Sequence, residues 1–328
     1  MSEFKALVVS EEGGRYMSRV QSRHIDDLPQ GEVLIRVKYS SLNYKDALSA
    51  SGNKGVTRQY PHTPGIDAAG VVEASSASEL AIGDEVIITG YDLGMGTSGG
   101  FGQYIRVPSA WVLKRPTALS LRESMLLGTA GLTAALCIDK LEQAGVQPGQ
   151  GPILVTGATG GVGSIAVAML ASLGYEVAAA TGKALQSEFF KGLGASQIID
   201  RTALEAGGEK PMLKEQWAGA VDTVGGEILF NVVKSLRYGA SVACCGLTAG
   251  TGFSGNVLPF ILRNVNLLGI DSVEQPLVAK ASMWDRLSLQ WKVDLETLAQ
   301  EVSLEQLPEQ IERILAGRMV GRVLVNLD

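Results

Sequence analysis

The sequence predicts an α/β protein in two parts: a β-rich part and a six-stranded, doubly wound parallel sheet. Three observations predict it. The chain has 328 residues, and single cores usually split beyond about 250–300 residues. In its second half, short Val-, Ile- and Ala-rich runs alternate with helical segments, the pattern of βαβ units. Between the first such run and its helix lies Thr156-Gly157-Ala158-Thr159-Gly160-Gly161-Val162-Gly163, a glycine turn of the kind that admits phosphates.

Each element follows from local pattern. Residues 1–125 read as β. Phe4–Val9 is a short apolar run, Glu32–Val37 alternates, Glu85–Thr89 follows the turn Ile82-Gly83-Asp84, and Gln103–Val107 alternates again. Gly, Pro, Ser and Asp punctuate these runs, as short antiparallel strands require. A short helix is expected near Tyr44–Leu48. Ser124–Lys140 then has helical spacing. Ile153–Val155 is a buried strand, and Val162–Leu173 an Ala-rich helix closed by Gly174. Further strands are expected at Glu176–Ala180, Gln197–Asp200, Ala220–Val224, Ala240–Cys245 and Val265–Ile270. Helices over Leu185–Leu193 and Glu227–Leu236 are stopped by Gly194 and Gly239. Six strands complete a dinucleotide-binding (Rossmann) sheet. Leu277–Trp291 and Leu304–Ala316 read as helices and Arg322–Leu327 as a strand, so this tail is expected to return to the first part.

Composition excludes several function classes. Hydrophobic residues make up 46% and charged residues 19%, which suits a packed globular protein rather than a disordered one. The net charge of −6 leaves no electrostatic footprint for DNA or RNA. Two histidines and three cysteines without a CxxC supply a metal site poorly. Cys244 and Cys245 are adjacent in an expected strand and point to opposite faces. All three cysteines read as small core residues of a reducing cytosol. The N-terminus lacks the apolar stretch of a signal peptide, and no run approaches the 18 or so apolar residues of a membrane helix. A cytoplasmic protein is expected.

The glycine turn carries the strongest chemistry. Backbone can approach a pyrophosphate only where side chains are missing, and the following helix start offers free N–H groups and partial positive charge. Thr159, Gly160, Gly161 and Val162 would hold the phosphates, and Gly163 permits close helix–strand packing. No GK[ST] follows, so the turn is not a P-loop. An acidic residue about 20 positions on would select NAD through the ribose 2′-hydroxyl. Here Thr181-Gly182-Lys183 stands at that place, and Arg201 follows the third strand. A hydroxyl, a flexible glycine and two cations suit the 2′-phosphate of NADP; the alternative is ordinary solvated charge.

With these motifs in place the chain resembles the zinc-free branch of the medium-chain dehydrogenase/reductase superfamily. Within it, it is similar to the quinone oxidoreductase group that includes acrylyl-CoA reductases. The motifs carrying the resemblance are Ser40-Ser41-Leu42-Asn43-Tyr44-Lys45-Asp46, Pro64–Gly70, Gly128–Ala134, the glycine turn, Val221–Gly225 and Pro259–Asn264. The resemblance implies a GroES-like catalytic domain over 1–125 and 273–328, with the Rossmann domain over 126–272 inserted, and a homodimer or higher oligomer. It also implies that both zinc sites are absent. Asn43 and Gly65-Ile66-Asp67 stand where zinc relatives carry ligands, and Asp92–Phe101 contains no cysteine.

The implied reaction is hydride transfer from NADPH to an electron-poor carbon conjugated to a carbonyl, in acrylyl-CoA or a quinone. Without a Lewis acid, hydrogen bonds must polarise that carbonyl. Tyr44 is the candidate proton donor, since a phenol keeps its proton at neutral pH; alternatively it only holds the cofactor. Asn43 either positions the carbonyl or cofactor or caps a turn. Asp67 is expected to orient neighbours such as Lys45 from a buried site. The resemblance further implies that Leu247, Ile261, Ser272 and Arg322 reach the cofactor. Arg318, Lys54 and Arg58 are candidates for CoA phosphates, or plain surface charge.

Overall fold

The computed structural model describes residues 3–182 and 187–328. It divides into two compact units: Met1–Ala130 with Val273–Leu289 and Leu295–Asp328, and Gly131–Ser272 with Gln290–Asp294.

The first unit opens with a hairpin. β1 (Glu3–Glu12) and β2 (Arg15–His24) pair antiparallel across Gly13-Gly14, both at positive φ, which glycine alone adopts without cost. β3 (Val33–Leu42) leads into α1 (Tyr44–Ala50), followed by β4 (Asp67–Ser75), β5 (Glu85–Thr89), β6 (Tyr104–Val107) and β7 (Leu113–Lys114). β2, β4 and β7 extend the strand set expected from sequence. β2 escapes notice because Arg-Tyr-Met-Ser-Arg-Val-Gln-Ser-Arg-His has no buried face.

α2 (Leu121–Gln143) is longer than the expected helix and broken at Gly128, which sits at φ 52°, ψ −154°. It also corrects the expectation about apolar runs, being long and apolar enough by composition to cross a membrane. Most of it is buried within the protein, as a core helix is.

The second unit alternates strands and helices: β8 (Ile153–Val155), α3 (Gly161–Ser172), β9 (Val177–Thr181), α4 (Ser187–Gly192), β10 (Gln197–Asp200), α5 (Arg201–Glu205), β11 (Gly219–Asp222), α6 (Gly226–Ser235), β12 (Ser241–Cys244), α7 (Leu258–Arg263) and β13 (Asn266–Gly269). The six strands are all parallel in the order β10-β9-β8-β11-β12-β13. The order reverses between β8 and β11, and ligands of such sheets bind outside the strand carboxyl ends at that reversal. Leu154, Ala178, Val242 and Val232 belong to the core packed on this sheet.

The chain then returns to the first unit through α8 (Leu277–Ser288), β14 (Ala299–Val302), α9 (Leu307–Leu315) and β15 (Arg322–Asn326). β15 pairs antiparallel with β3, placing Val323 opposite Leu42. A seven-stranded sheet results, in the order β14-β15-β3-β4-β5-β7 with β6 also on β3. Val33, Ile35, Val37, Ile88, Ile105 and Val323 form part of its core. Arg322 and Asn43, far apart in sequence, are thereby carried to the same end of two paired strands.

Candidate active site

In the first unit, one buried polar cluster gathers the ends of β3, β4 and β15 and the break in α2. Asp67 is fully buried. Its Oδ2 accepts hydrogen bonds from Ser41 Oγ (2.6 Å), Asn43 Nδ2 (2.8 Å) and the Thr129 N–H (2.9 Å), and its Oδ1 accepts from Thr129 Oγ1 (2.5 Å). The expected partner Lys45 is not among these donors. Thr129 opens the second half of α2, so the carboxylate sits on a helix start, where negative charge is favoured.

Arg322, 2% exposed, treats the other side of the break. Its Nε donates to the Leu126 carbonyl at 3.0 Å and Nη2 to that of Met125 at 3.5 Å, carbonyls at the end of the first half of α2. Its Nη1 donates to Asn43 Oδ1 at 3.2 Å. The Asn43 amide therefore bridges a buried guanidinium and a buried carboxylate. Burial pushes Arg322 down from its ordinary pKa, while Asp67 and Asp46 hold it up.

Asp46 completes the cluster. Asn43 occupies the N-cap position of α1, and its main-chain N–H donates to Asp46 Oδ2 at 2.8 Å. Asp46 Oδ1 accepts from the Ile66 N–H at 2.8 Å. Burial, and then the nearby Asp67 charge, push the Asp46 carboxyl up to about 7. Tyr44, the first residue of α1, is half-buried beside this anchored asparagine.

This donor set does not fit a zinc ion. The carboxylate is taken up by four donors, the asparagine amide is spent on both charged partners, and a guanidinium stands where a cation would be repelled. Among the described residues, no three His, Cys, Asp or Glu side chains group to hold a metal.

The second unit holds the glycine turn between β8 and α3. Gly160 is the N-cap of α3, and first-turn N–H groups have no intrahelical partner. Gly161 and Val162 open α3, Thr159 precedes its cap, and the Gly160 N–H donates to the Gly157 carbonyl at 2.9 Å. Gly157 has φ 59°, and a Cβ on Gly163 would overlap the Gly157 carbonyl, which requires glycine at both. Thr181 is the buried last residue of β9. Gly182 lies beside Arg201: a Cβ there would come within 3.4 Å of the guanidinium carbon. Arg201 is exposed and 3.5 Å from Glu205. Thr181, Gly182 and Arg201 are together. Lys183 lies outside the described residues.

Leu247 and Ile261 are exposed, while Ser272 is buried and accepts a hydrogen bond from Thr133 Oγ1 at 2.8 Å. Lys54, a CoA candidate, lies over the Tyr60 ring at 4.7 Å and 3.5 Å from Glu11.

Ser41, Asp46, Gly128, Thr129, Thr156 and Asp222 stand within the quoted motifs, but the sequence reading gave none of them a role. One local signal was available. Asp46 stands three residues after Asn43, the spacing of a capping box.

Two family profiles match the chain: the alcohol dehydrogenase GroES-like domain over residues 29–117 and the zinc-binding dehydrogenase domain over residues 161–288. The acrylyl-CoA reductase AcuI of Ruegeria pomeroyi is 45% identical over 328 residues, covering 99% of both chains. YhfP of Bacillus subtilis, provisionally named a quinone oxidoreductase, is 46% identical over 99% of both chains. Its crystal structure, with NAD bound, superposes with a TM-score of 0.96 over 100% of both chains. The YhdH oxidoreductase of Salmonella enterica in complex with NADP is 41% identical, with a TM-score of 0.95 over 99% of this chain and 100% of that one.

Proposed function

The chain belongs to the medium-chain dehydrogenase/reductase superfamily, and from that premise we propose that it is a zinc-independent, NADPH-dependent reductase of electron-poor conjugated carbonyl compounds, with the C=C of acrylyl-CoA as substrate. The observation that carries this reading is the Asp67–Asn43–Arg322 chain. It replaces metal ligands with a rigid hydrogen-bonded frame and holds Tyr44 at the head of α1. Full-length similarity to an acrylyl-CoA reductase supplies the substrate class.

Thr159–Val162 would hold the pyrophosphate, and Thr181, Gly182 and Arg201, with Lys183, the adenosine 2′-phosphate. NADPH, when bound, supplies a hydride to the terminal carbon of the conjugated double bond. The electron pair moves towards the thioester carbonyl, giving an enolate that hydrogen-bond donors of the chain stabilise. The Tyr44 phenol then gives its proton to the carbon next to the carbonyl and recovers one from solvent. Asp67 and Arg322 hold the two ends of the Asn43 amide, which anchors the start of α1 where Tyr44 stands.

A second reading, NADPH:quinone oxidoreduction, rests on the similarity to YhfP, and the NAD in that structure makes cofactor choice a point to measure. The discriminating experiment compares kcat/KM across enoyl-CoA chain lengths, quinones and free enones with both cofactors. Acrylyl-CoA with NADPH should give the highest value. NADPH should exceed NADH by about tenfold or more, as expected for a charge-assisted phosphate contact. Equal values for the two cofactors would sink the Thr181–Arg201 assignment.

The proposal extends to the assembly and setting. The protein acts as a homodimer, supported by exposed Val257, Ile261 and Leu262 around α7; light scattering giving a monomer mass would contradict it. Free Cys137, Cys244 and Cys245 suit the reducing cytoplasm, which fractionation tests. The acidic net charge speaks against nucleic-acid partners, and a gel-shift assay checks this. The mostly buried α2 speaks against a membrane role. Elemental analysis should find no stoichiometric zinc.

A further inference from the structure

The sheet order reverses between β8 and β11, and the turns leaving these strands are tied together by one carboxylate. Asp222, the last residue of β11, is 0% exposed. Its Oδ1 accepts from Thr156 Oγ1 at 2.7 Å, and its Oδ2 from the Gly225 N–H at 2.8 Å. Thr156 Oγ1 accepts in turn from the Thr223 N–H at 3.0 Å, and Thr223 Oγ1 donates to the Thr156 carbonyl at 2.8 Å. The Thr156 hydroxyl is thus committed as donor and as acceptor. Both joined turns have little slack. Gly157, next to Thr156, has φ 59°, and Gly225 and Gly226 have φ 70° and 62°. A Cβ on Gly157 would overlap Thr223 Oγ1, and one on Gly225 would lie 2.7 Å from the Gly246 and Gly250 carbonyls.

A buried carboxylate is a poor stabiliser compared with apolar packing of the same volume. Its value here is geometric. The adenosine half of a dinucleotide attaches beyond the second strand of such a sheet, which is β9, with Thr181 and Gly182. The turn after β11 lies across the reversal, on the side of the other half.

We propose that Asp222 is a positioning residue that sets the spacing of the two turns across the reversal, so that the pyrophosphate and nicotinamide half of the dinucleotide docks there. It plays no part in recognising the adenosine 2′-phosphate, since its oxygens are taken up by donors of the chain itself. This rests on the reading that the glycine turn holds a dinucleotide.

Asp222→Asn tests it with almost no change of shape. An amide nitrogen would face either the Gly225 N–H, donor against donor, or the Thr156 oxygen, whose hydroxyl then loses the carboxylate that accepts its proton. Two constants are measured on the folded protein: the Kd of NADPH by fluorescence, and the inhibition constant of adenosine 2′-monophosphate competing with NADPH. The expected result is an NADPH Kd raised about tenfold or more, the scale of misplacing binding groups, with the monophosphate constant held within about twofold. An unchanged NADPH Kd, with only thermal stability lowered, would overturn the proposal. Equal weakening of both ligands would overturn it too. If Asp222→Asn does not fold, Thr156→Val removes the same bridge from the other side and is held to the same outcomes. Failure of the wild-type protein to bind NADPH would instead remove the dinucleotide reading itself.

Discussion

Asn43 and Tyr44 are neighbours in sequence but differ in freedom. Asn43 is held at both ends of its amide by Asp67 and Arg322, whereas Tyr44 is only half-buried at the first position of α1. Positioned acid catalysis is worth about 10²–10⁴-fold. Tyr44→Phe keeps the ring and removes the hydroxyl, so single-turnover reduction of acrylyl-CoA should slow by about that range while the NADPH Kd stays nearly the same. Quinone reduction should slow less, because reduced quinone oxygens take protons from water. An unchanged acrylyl-CoA rate would leave water as the donor. At this scale the sequence singled out Asn43, Tyr44 and Asp67 as candidates. It could not show that Asn43 spans Arg322 and Asp67, because that requires β3 to pair with β15 across about 280 residues.

At the scale of elements, α2 is the informative case. Its sequence reads as one helix, since Gly in a helical pattern is tolerated at a cost of about 1 kcal/mol. The tertiary cluster overrides that pattern. At Gly128 a Cβ would lie 2.5 Å from Asp67 Oδ2, 2.6 Å from Ser41 Oγ and 3.0 Å from Arg322 Nη2. Gly128→Ala should therefore destabilise the protein by roughly 2–5 kcal/mol, adding backbone strain to overpacking, and should lower kcat with it. Gly149 has φ 86° but nothing within 4 Å of a Cβ, so Gly149→Ala should cost only the left-handed penalty of about 1–2 kcal/mol and spare kcat. Urea denaturation with kinetics on both variants checks the contrast, and equal costs would refute it. β8, β9, β11 and β12 were legible as short buried apolar runs, whereas β10 and β13 bury little and were legible only from their alternation with helices. β2 and β14 were not, since one lacks a buried face and the other, Ala-Gln-Glu-Val, buries a single side chain.

For the whole molecule, two buried groups bend stability with pH in opposite senses. Asp46 has its folded pKa raised from 3.8 to about 7. Its contribution is complete below pH 3.8 and is lost as pH rises towards 7. His62 is shifted the other way, chiefly by burial, below 6.5. Its contribution is complete above pH 6.5 and is lost as pH falls through its folded pKa. Unfolding free energies across pH 4–8 should show the two limbs separately. Asp46→Asn should flatten the loss on the rising side, and His62→Gln the loss on the acid side. A profile unchanged by both substitutions would contradict these assignments. The two-part architecture was readable from length and from the change of pattern along the chain.

Hydride transfer to carbon is the claim on which the functional reading stands. Acrylyl-CoA is incubated in ordinary water with NADPH carrying deuterium at the transferable position of the nicotinamide, and the product is analysed by mass spectrometry. The expected product is propanoyl-CoA with a single deuterium on its terminal carbon and a solvent proton on the carbon beside the thioester. Product without deuterium, or no acrylyl-CoA consumed while a quinone is reduced under the same conditions, would contradict it.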